Sequence, residues 1–269
     1  MPSLNPEVAQ WITQMGDDDQ VIAYFAYQSL LEQVLHTSAP DRTEAQAVLA
    51  TALGEALNAL AASRQGAGAA QAASLRDNSF LAAVASQTVA YQYPPRVRSN
   101  LARLLGYLPH EATVPYLVKA LDDLEARENA RCSLEYNPSD KATDALIGAL
   151  DLVGSTFCVG VVNSLAKRKG EKVSAALLKA AEDPQPEVRT AAMYALADVP
   201  YAGHDAILEK ATRVTDPEER RKAHIARTRL AETLRLSGDK QGAQRIYKSI
   251  LASSADEPQK KAARLALAV

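Results

Sequence analysis

Apolar side chains recur along this chain at the three-and-four spacing of helices, and nowhere with the sustained alternation of a half-buried strand. Periodic runs over Val21 to Leu35, Ala45 to Leu60 and Leu75 to Val89 predict three helices in the first third, with Gly66-Ala67-Gly68 as the most flexible link between them. Helix starts are marked as well. Asn5-Pro6-Glu7 sets a capping residue before a proline at the first helical position. Asp41-x-x-Glu44 and Asp216-Pro217-Glu218-Glu219 have capping-box spacing, with carboxylates at the positive end of the helix dipole. The three early helices resemble one another only loosely, so residues 1–92 are read as a divergent helical cap.

From Tyr93-Pro94-Pro95 onward the chain aligns on itself. Val97, Ala126, Phe157 and Val188 open an apolar stripe; Leu101, Ala130, Val161 and Ala192 follow four residues later, and Leu105, Leu134, Leu165 and Leu196 four later again. A second stripe repeats the agreement through Leu117, Leu146, Leu177 and Leu208, and through Ala120, Ala149, Ala180 and Ala211. Steps of i, i+4 and i+8 put shared positions on one helix face. A hairpin of two short helices with one apolar stripe each cannot bury both stripes alone, so neighbours must stack.

Asp183-Pro184-Gln185-Pro186-Glu187-Val188-Arg189-Thr190-Ala191-Ala192, with Ala195-Leu196, resembles the HEAT repeat in its short bacterial form, similar to phycobilin-lyase-type repeats. Val97-Arg98, Leu104-Leu105-Gly106 and Val114-Pro115-Tyr116-Leu117 are similar to the same pattern. The resemblance covers residues 93–214. It implies an all-α fold: a right-handed α-solenoid of stacked helical hairpins, an armadillo-like superhelix. Beyond residue 215, Leu230-Ala231, Leu234, Gly238-Asp239, Ala243, Tyr247 and Ile250 resemble a tetratricopeptide-type hairpin, although the usual proline is displaced to Pro258; a divergent HEAT-like end is the alternative. Asp256 to Leu267 would form a last helix, making residues 215–269 a C-terminal cap on one continuous solenoid.

Composition agrees with close helix packing: apolar residues are 47% of the chain but aromatics only 5%, the balance leaning on alanine and leucine. A net charge of −2 argues against a nucleic-acid binder by bulk charge. The charge is uneven, at −6 over residues 1–92, zero over 93–183 and +4 over 184–269, a polarity that can orient a partner or a second copy and that solvated helix faces also produce. Cys132 and Cys158 form neither a disulfide framework nor a metal cluster. Met1-Pro2-Ser3-Leu4-Asn5-Pro6 is no basic-then-apolar leader, and no window approaches the ~18 apolar residues of a membrane span. The expected setting is cytoplasmic.

Candidate chemistry is sparse. His36, His110, His204 and His224 share no metal-binding spacing; the single His110-Glu111 pair falls short of the several that HEAT-type di-iron hydroxylases use. His110 and His204 read instead as helix-entry residues at turns. Gly66-x-Gly68 lacks the preceding strand and third glycine of a dinucleotide loop. No nucleophile stands with a base and an orienting group, so no catalytic residue, cofactor or metal is assigned.

Arg98, Arg127 and Arg189 share one repeat position, interrupted by Cys158; they read as an anion-binding ladder or, preferably, as arginines paired with acids and carbonyls of the neighbouring repeat. Tyr107 and Tyr136 share a position at the turn between paired helices, as binding anchors or covers of hairpin ends. On second helices, Lys119, Gly148, Lys179 and Lys210 are equivalent, as are Asp122, Asp151, Glu182 and Arg213. By the resemblance, second helices line the concave face. Lys119, Asp122, Asp151, Lys179, Glu182 and Lys210 then become a mixed-charge strip for an extended peptide, or a solvated face.

The expectation is a non-enzymatic protein–protein interaction scaffold that binds another protein or an extended peptide on the concave second-helix face. One alternative is an assisting subunit of a phycobilin-lyase-like complex, which needs a bilin and a partner subunit. Another is a nucleic-acid-associated protein similar to HEAT-type DNA glycosylases, which the lone Trp11 in the acidic third opposes.

Overall fold

Short polar side chains decide where the helices begin. The computed structural model describes residues 5–72, 95–152 and 155–268. Asn5 Oδ1 accepts from the Glu7 amide at 3.0 Å and starts α1 (Glu7–Gln14). Asp19 Oδ1 accepts from the Val21 amide at 2.8 Å and starts α2 (Gln20–Thr37). The pair Asp41 and Glu44 does not form the expected box. The helix α3 (Thr43–Ala72) begins one residue too late, so Asp41 makes no capping bond and Glu44 lies in the first turn. Nor does α3 stop at Gly66-Ala67-Gly68, where a link was expected. Each glycine costs about 1 kcal/mol against alanine, too little to end a run flanked by Ala61, Ala62, Ala69, Ala70 and Ala72. The helix expected over Leu75 to Val89 lies outside the described residues.

The chain divides into two compact units, residues 1–146 and 147–269. In the first, α3 packs on α4 (Pro95–Gly106) and on α5 (Val114–Ala120), and α4 packs along α6 (Arg127–Tyr136). A helix α7 (Asp140–Ala149) crosses the boundary. In the second, α8 (Ser155–Leu165) and α9 (Glu171–Ala180) pair as a hairpin, and α8 lies beside α10 (Pro186–Ala197). Next, α10 lies beside α12 (Pro217–Leu236), which α11 (Asp205–Ala211) also contacts; α13 (Lys240–Ala252) folds back on α12, and α14 (Glu257–Leu267) packs on α13. Among the described residues there is no strand. The fold is all-α, a HEAT-like series of helical hairpins stacked on their neighbours within each unit.

The repeated stripes are the core. Leu101, Ala130, Val161 and Ala192 are fully buried, as are Leu105, Leu134, Leu165 and Leu196, and Leu117, Leu146, Leu177 and Leu208. Burying a leucine contributes roughly 1.5–3 kcal/mol, so these positions carry much of the stacking energy. The pattern also runs further than its apolar residues show. Thirty-one residues past Pro186, Val188, Arg189 and Ala192 stand Pro217, Glu219, Arg220 and Ala223, so α12 opens as another first helix. Ala223 and Arg227 are buried at the positions of Ala192 and Leu196. Arg227 is tolerated there because Asp205 takes it through both carboxylate oxygens, at 2.7 and 3.0 Å, with Ser249 Oγ at 3.1 Å.

The α12–α13 turn depends on Gly238, whose φ of 97° lies in the left-handed region that side chains disfavour. Asp239 Oδ1 then caps α13 by accepting from the Gly242 amide at 2.8 Å. Ala243 and Ile246 bury against Leu230 and Leu234.

Candidate functional site

Two sets of residues singled out in the sequence meet different fates. Arg98 and Arg189 of the arginine series are structural. Arg98, almost wholly buried, donates from Nε to Asp123 Oδ2 at 2.5 Å and from Nη2 to Glu125 Oε2 at 2.9 Å. Arg189 donates to both oxygens of Glu219 at 2.6 Å, and its Nη1 reaches the carbonyls of Asp183 (2.7 Å) and Pro184 (2.9 Å). Arg220 repeats the carbonyl contacts with Val214 and Thr215, both at 3.0 Å. Cys158 holds the same place in its repeat, and its thiol donates to the carbonyls of Leu152 (3.3 Å) and Leu150 (3.6 Å). Arg189, Arg220 and Cys158 thus reach back to carbonyls of the preceding turn, whereas Arg98 reaches forward to acids that follow α5.

The histidines at turns act as expected. His110 Nδ1 accepts from the Ala112 amide at 3.1 Å and caps the 3₁₀ turn Glu111–Thr113. His204 ends the turn Ala202–His204, buried, with Nδ1 3.0 Å from the Leu196 carbonyl. Among the described residues no group of three His, Cys, Asp or Glu is placed to hold a metal ion, and no helix is long and apolar enough to cross a membrane.

The second-helix charges lie on exposed surface. In the second unit they pair with one another: Lys179 Nζ is 3.1 Å from Asp151 Oδ1, and Lys210 Nζ is 2.6 Å from Glu182 Oε1, each bridging adjacent repeats. In the first unit Lys119 and Asp122 are exposed and make no ion pair among the described residues. A partner reaching the paired part of this row must displace or bridge existing contacts.

Tyr107 and Tyr136, by contrast, come together. They line a half-open groove of about 490 Å³ between α4 and α6 in the first unit, with Ser38, Arg103, Pro109 and Cys132 among its walls. The floor is built by two cross-helix bonds: Ser133 Oγ donates to the Ala102 carbonyl at 2.8 Å, and Asn129 Nδ2 donates to Ser99 Oγ at 2.6 Å. Gly106 permits that approach, since a Cβ there would stand 2.3 Å from Ser133 Oγ. Tyr107 is 38% exposed and Tyr136 72%.

Arg103, absent from the sequence candidates, gives the groove its charge. Its hydrogen bond to Tyr107 holds the guanidinium pKa up, with Tyr27 acting in the same direction, while burial pushes Tyr27 up. No carboxylate among the described residues pairs with Arg103. Nearby, Arg131 pairs with Glu128 and Glu135 and donates to Cys132 Sγ at 3.2 Å. Tyr107 directly follows the last residue of α4, four residues after Arg103, and that spacing was the available signal.

No protein-family model and no curated protein matches the sequence. Among solved structures, the chain is similar to one in the complex of CpcE and CpcF of phycocyanin lyase from Nostoc sp. PCC7120, with 20% identity, 100% of this chain and 96% of that one covered, and a TM-score of 0.38. Human deoxyhypusine hydroxylase in complex with glycerol shows 14% identity, coverage of 97% and 94%, and a TM-score of 0.30. A designed armadillo repeat protein in complex with the peptide (KR)4 shows 19% identity, coverage of 97% and 98%, and a TM-score of 0.29. Likeness at this level bears on no assignment of activity, ligand or partner.

Proposed function

We propose that this helical-repeat protein is a non-catalytic binding module whose principal contact is the tyrosine groove of the first unit. The observation that carries the reading is the chemistry of that groove. Two exposed tyrosine rings stand beside a guanidinium that no carboxylate among the described residues neutralises. Tyrosine supplies large, stiff contact area at low entropic cost, and tyrosine and arginine are enriched where binding energy concentrates. The fitting occupant is a protein segment with an aliphatic or aromatic side chain beside an acid: the apolar group packs on the rings and the carboxylate meets Arg103. The exposed second-helix charges Lys119, Asp122, Asp151, Lys179, Glu182 and Lys210 are subsidiary contacts at most.

The test is photo-crosslinking in cells that produce the protein. A benzophenone side chain at position 136 should capture one protein that the same group at exposed position 236 does not. Equal recovery from both positions, or none from 136, would remove the groove from the account.

A further inference from the structure

The helix α2 is apolar around most of its circumference. Ala23, Ala26, Leu30 and Val34 bury against the first unit, as an amphipathic helix requires. Its other side is not polar. Val21 is 61% exposed, Tyr24 59% and Phe25 64%, and Ile22 joins them within one and a half turns. The Tyr24 and Phe25 rings meet edge to face at 5.7 Å, which makes the patch contiguous. Singly scattered apolar residues are normal on a surface, but a contiguous patch marks a contact site.

The patch carries a sign. Asp17, Asp18 and Asp19 lead directly into it. Asp17 accepts from the Asp19 amide and Asp19 from the Val21 amide, and no cation among the described residues pairs with any of the three. An apolar face beside three uncompensated carboxylates fits a helix that is basic and partly apolar. The chain itself supplies one. On α14, Lys261, Arg264 and Leu265 follow the i, i+3, i+4 spacing of a single stripe; all three are exposed, Leu265 at 62%, while Ala263 faces the core. Among the described residues Arg264 has an acid partner, Glu257 at 3.1 Å on the surface, and Lys261 has none. The uneven charge of the chain, −6 over residues 1–92 and +4 over 184–269, has the same polarity.

We propose that the Val21, Tyr24 and Phe25 face of α2 docks the α14 stripe of a second copy. Such a contact joins two different faces, one acidic and apolar and one basic and apolar, so each copy carries both halves of it. A contact of roughly one helix on another buries less than the ~1,200–2,000 Å² of a stable interface, so association rises with concentration and falls with salt.

Light scattering after size exclusion tests this with the full chain and two surface variants, Phe25→Asp and Leu265→Asp, whose circular dichroism melts are first matched to the parent. The parent should grow from monomer mass to at least twice that mass with concentration. Each variant alone should stay monomeric. Mixed, the two should form a one-to-one dimer and nothing larger, because Leu265→Asp keeps the α2 face and Phe25→Asp keeps the α14 stripe. Asp18→Lys, which leaves the Asp19 cap of α2 in place, should weaken the parent's association. A parent that stays monomeric at every concentration overturns the proposal. So does a Leu265→Asp variant that still self-associates, since that result assigns the α2 face to a symmetric pair.

Discussion

Arg189 holds Glu219 across two repeats, thirty residues apart in sequence, through two parallel bonds of 2.6 Å each. Glu219 stands where earlier units place Val97, Phe157 or Val188, buried against the stack. The pair therefore marks α12 as a continuation of the repeat and ties it to α10 by charge where other repeats use an apolar side chain.

Removing one partner leaves the other charge largely desolvated. Glu219→Val should lower stability by about 2–3 kcal/mol, or about 5–10 °C in melting temperature. Arg189→Leu added to it should recover most of the loss, since paired replacement by apolar groups is close to neutral. Urea denaturation of both variants decides. A double variant no more stable than Glu219→Val would show that the pair does not act as a unit.

Ala192 has no exposed surface and faces the seam between first helices at the position of Leu101, Ala130 and Val161. Ala192→Arg should cost several kcal/mol, a large share of the total for a domain. A melting temperature within about two degrees of the parent would show that Ala192 does not face the seam.

The exposed bridges Lys179–Asp151 and Lys210–Glu182 are a different case. Pairs this open contribute about 0–1 kcal/mol. Lys179→Glu with Lys210→Glu should lower the melting temperature by about three degrees or less, and the difference should vanish near 1 M salt. A larger loss that survives salt would point to packing by the lysine stems.

Acid should loosen the second unit. Burial is the main cause that lowers the His224 pKa. Arg227 acts next in the same direction, Lys260 and Arg220 add to it, and Asp256 opposes. Both ring nitrogens of His224 are buried without a hydrogen-bond partner. Burial likewise lowers His204, against the Leu196 carbonyl. The folded chain then binds fewer protons than the unfolded chain, whose histidines titrate near ~6.5. Their contribution is complete above that pH and is lost as the pH falls below it towards the folded values. Urea midpoints at about pH 7.5 and pH 5 should show the fall, and His224→Met should flatten it. An unchanged slope in that variant would acquit the residue.

The stacking was legible because the repeat writes the same leucine into Leu105, Leu134, Leu165 and Leu196, and each of those is buried. The arginine pairing was legible from shared position for Arg98 and Arg189. The fifth first helix was not, because an acid in the apolar stripe at Glu219 hides the register from a hydrophobic pattern. The shared phase of Tyr107 and Tyr136 was also visible, but the groove was not. Its walls include Ser38, at the end of α2, and long-range packing of that kind leaves no mark on local spacing. Gly66-Ala67-Gly68 misled because glycine weakens a helix without ending it.

A groove beside Arg103 that binds a protein segment should lose that segment when its charge or its outer ring is removed. Isothermal titration of the partner captured from position 136 tests it most directly, against the parent, Arg103→Glu and Tyr136→Ala. Both side chains are exposed, so the variants should melt with the parent. Each variant should lose at least tenfold in affinity, equivalent to about 1.4 kcal/mol. Parent-like affinity in two folded variants would contradict it.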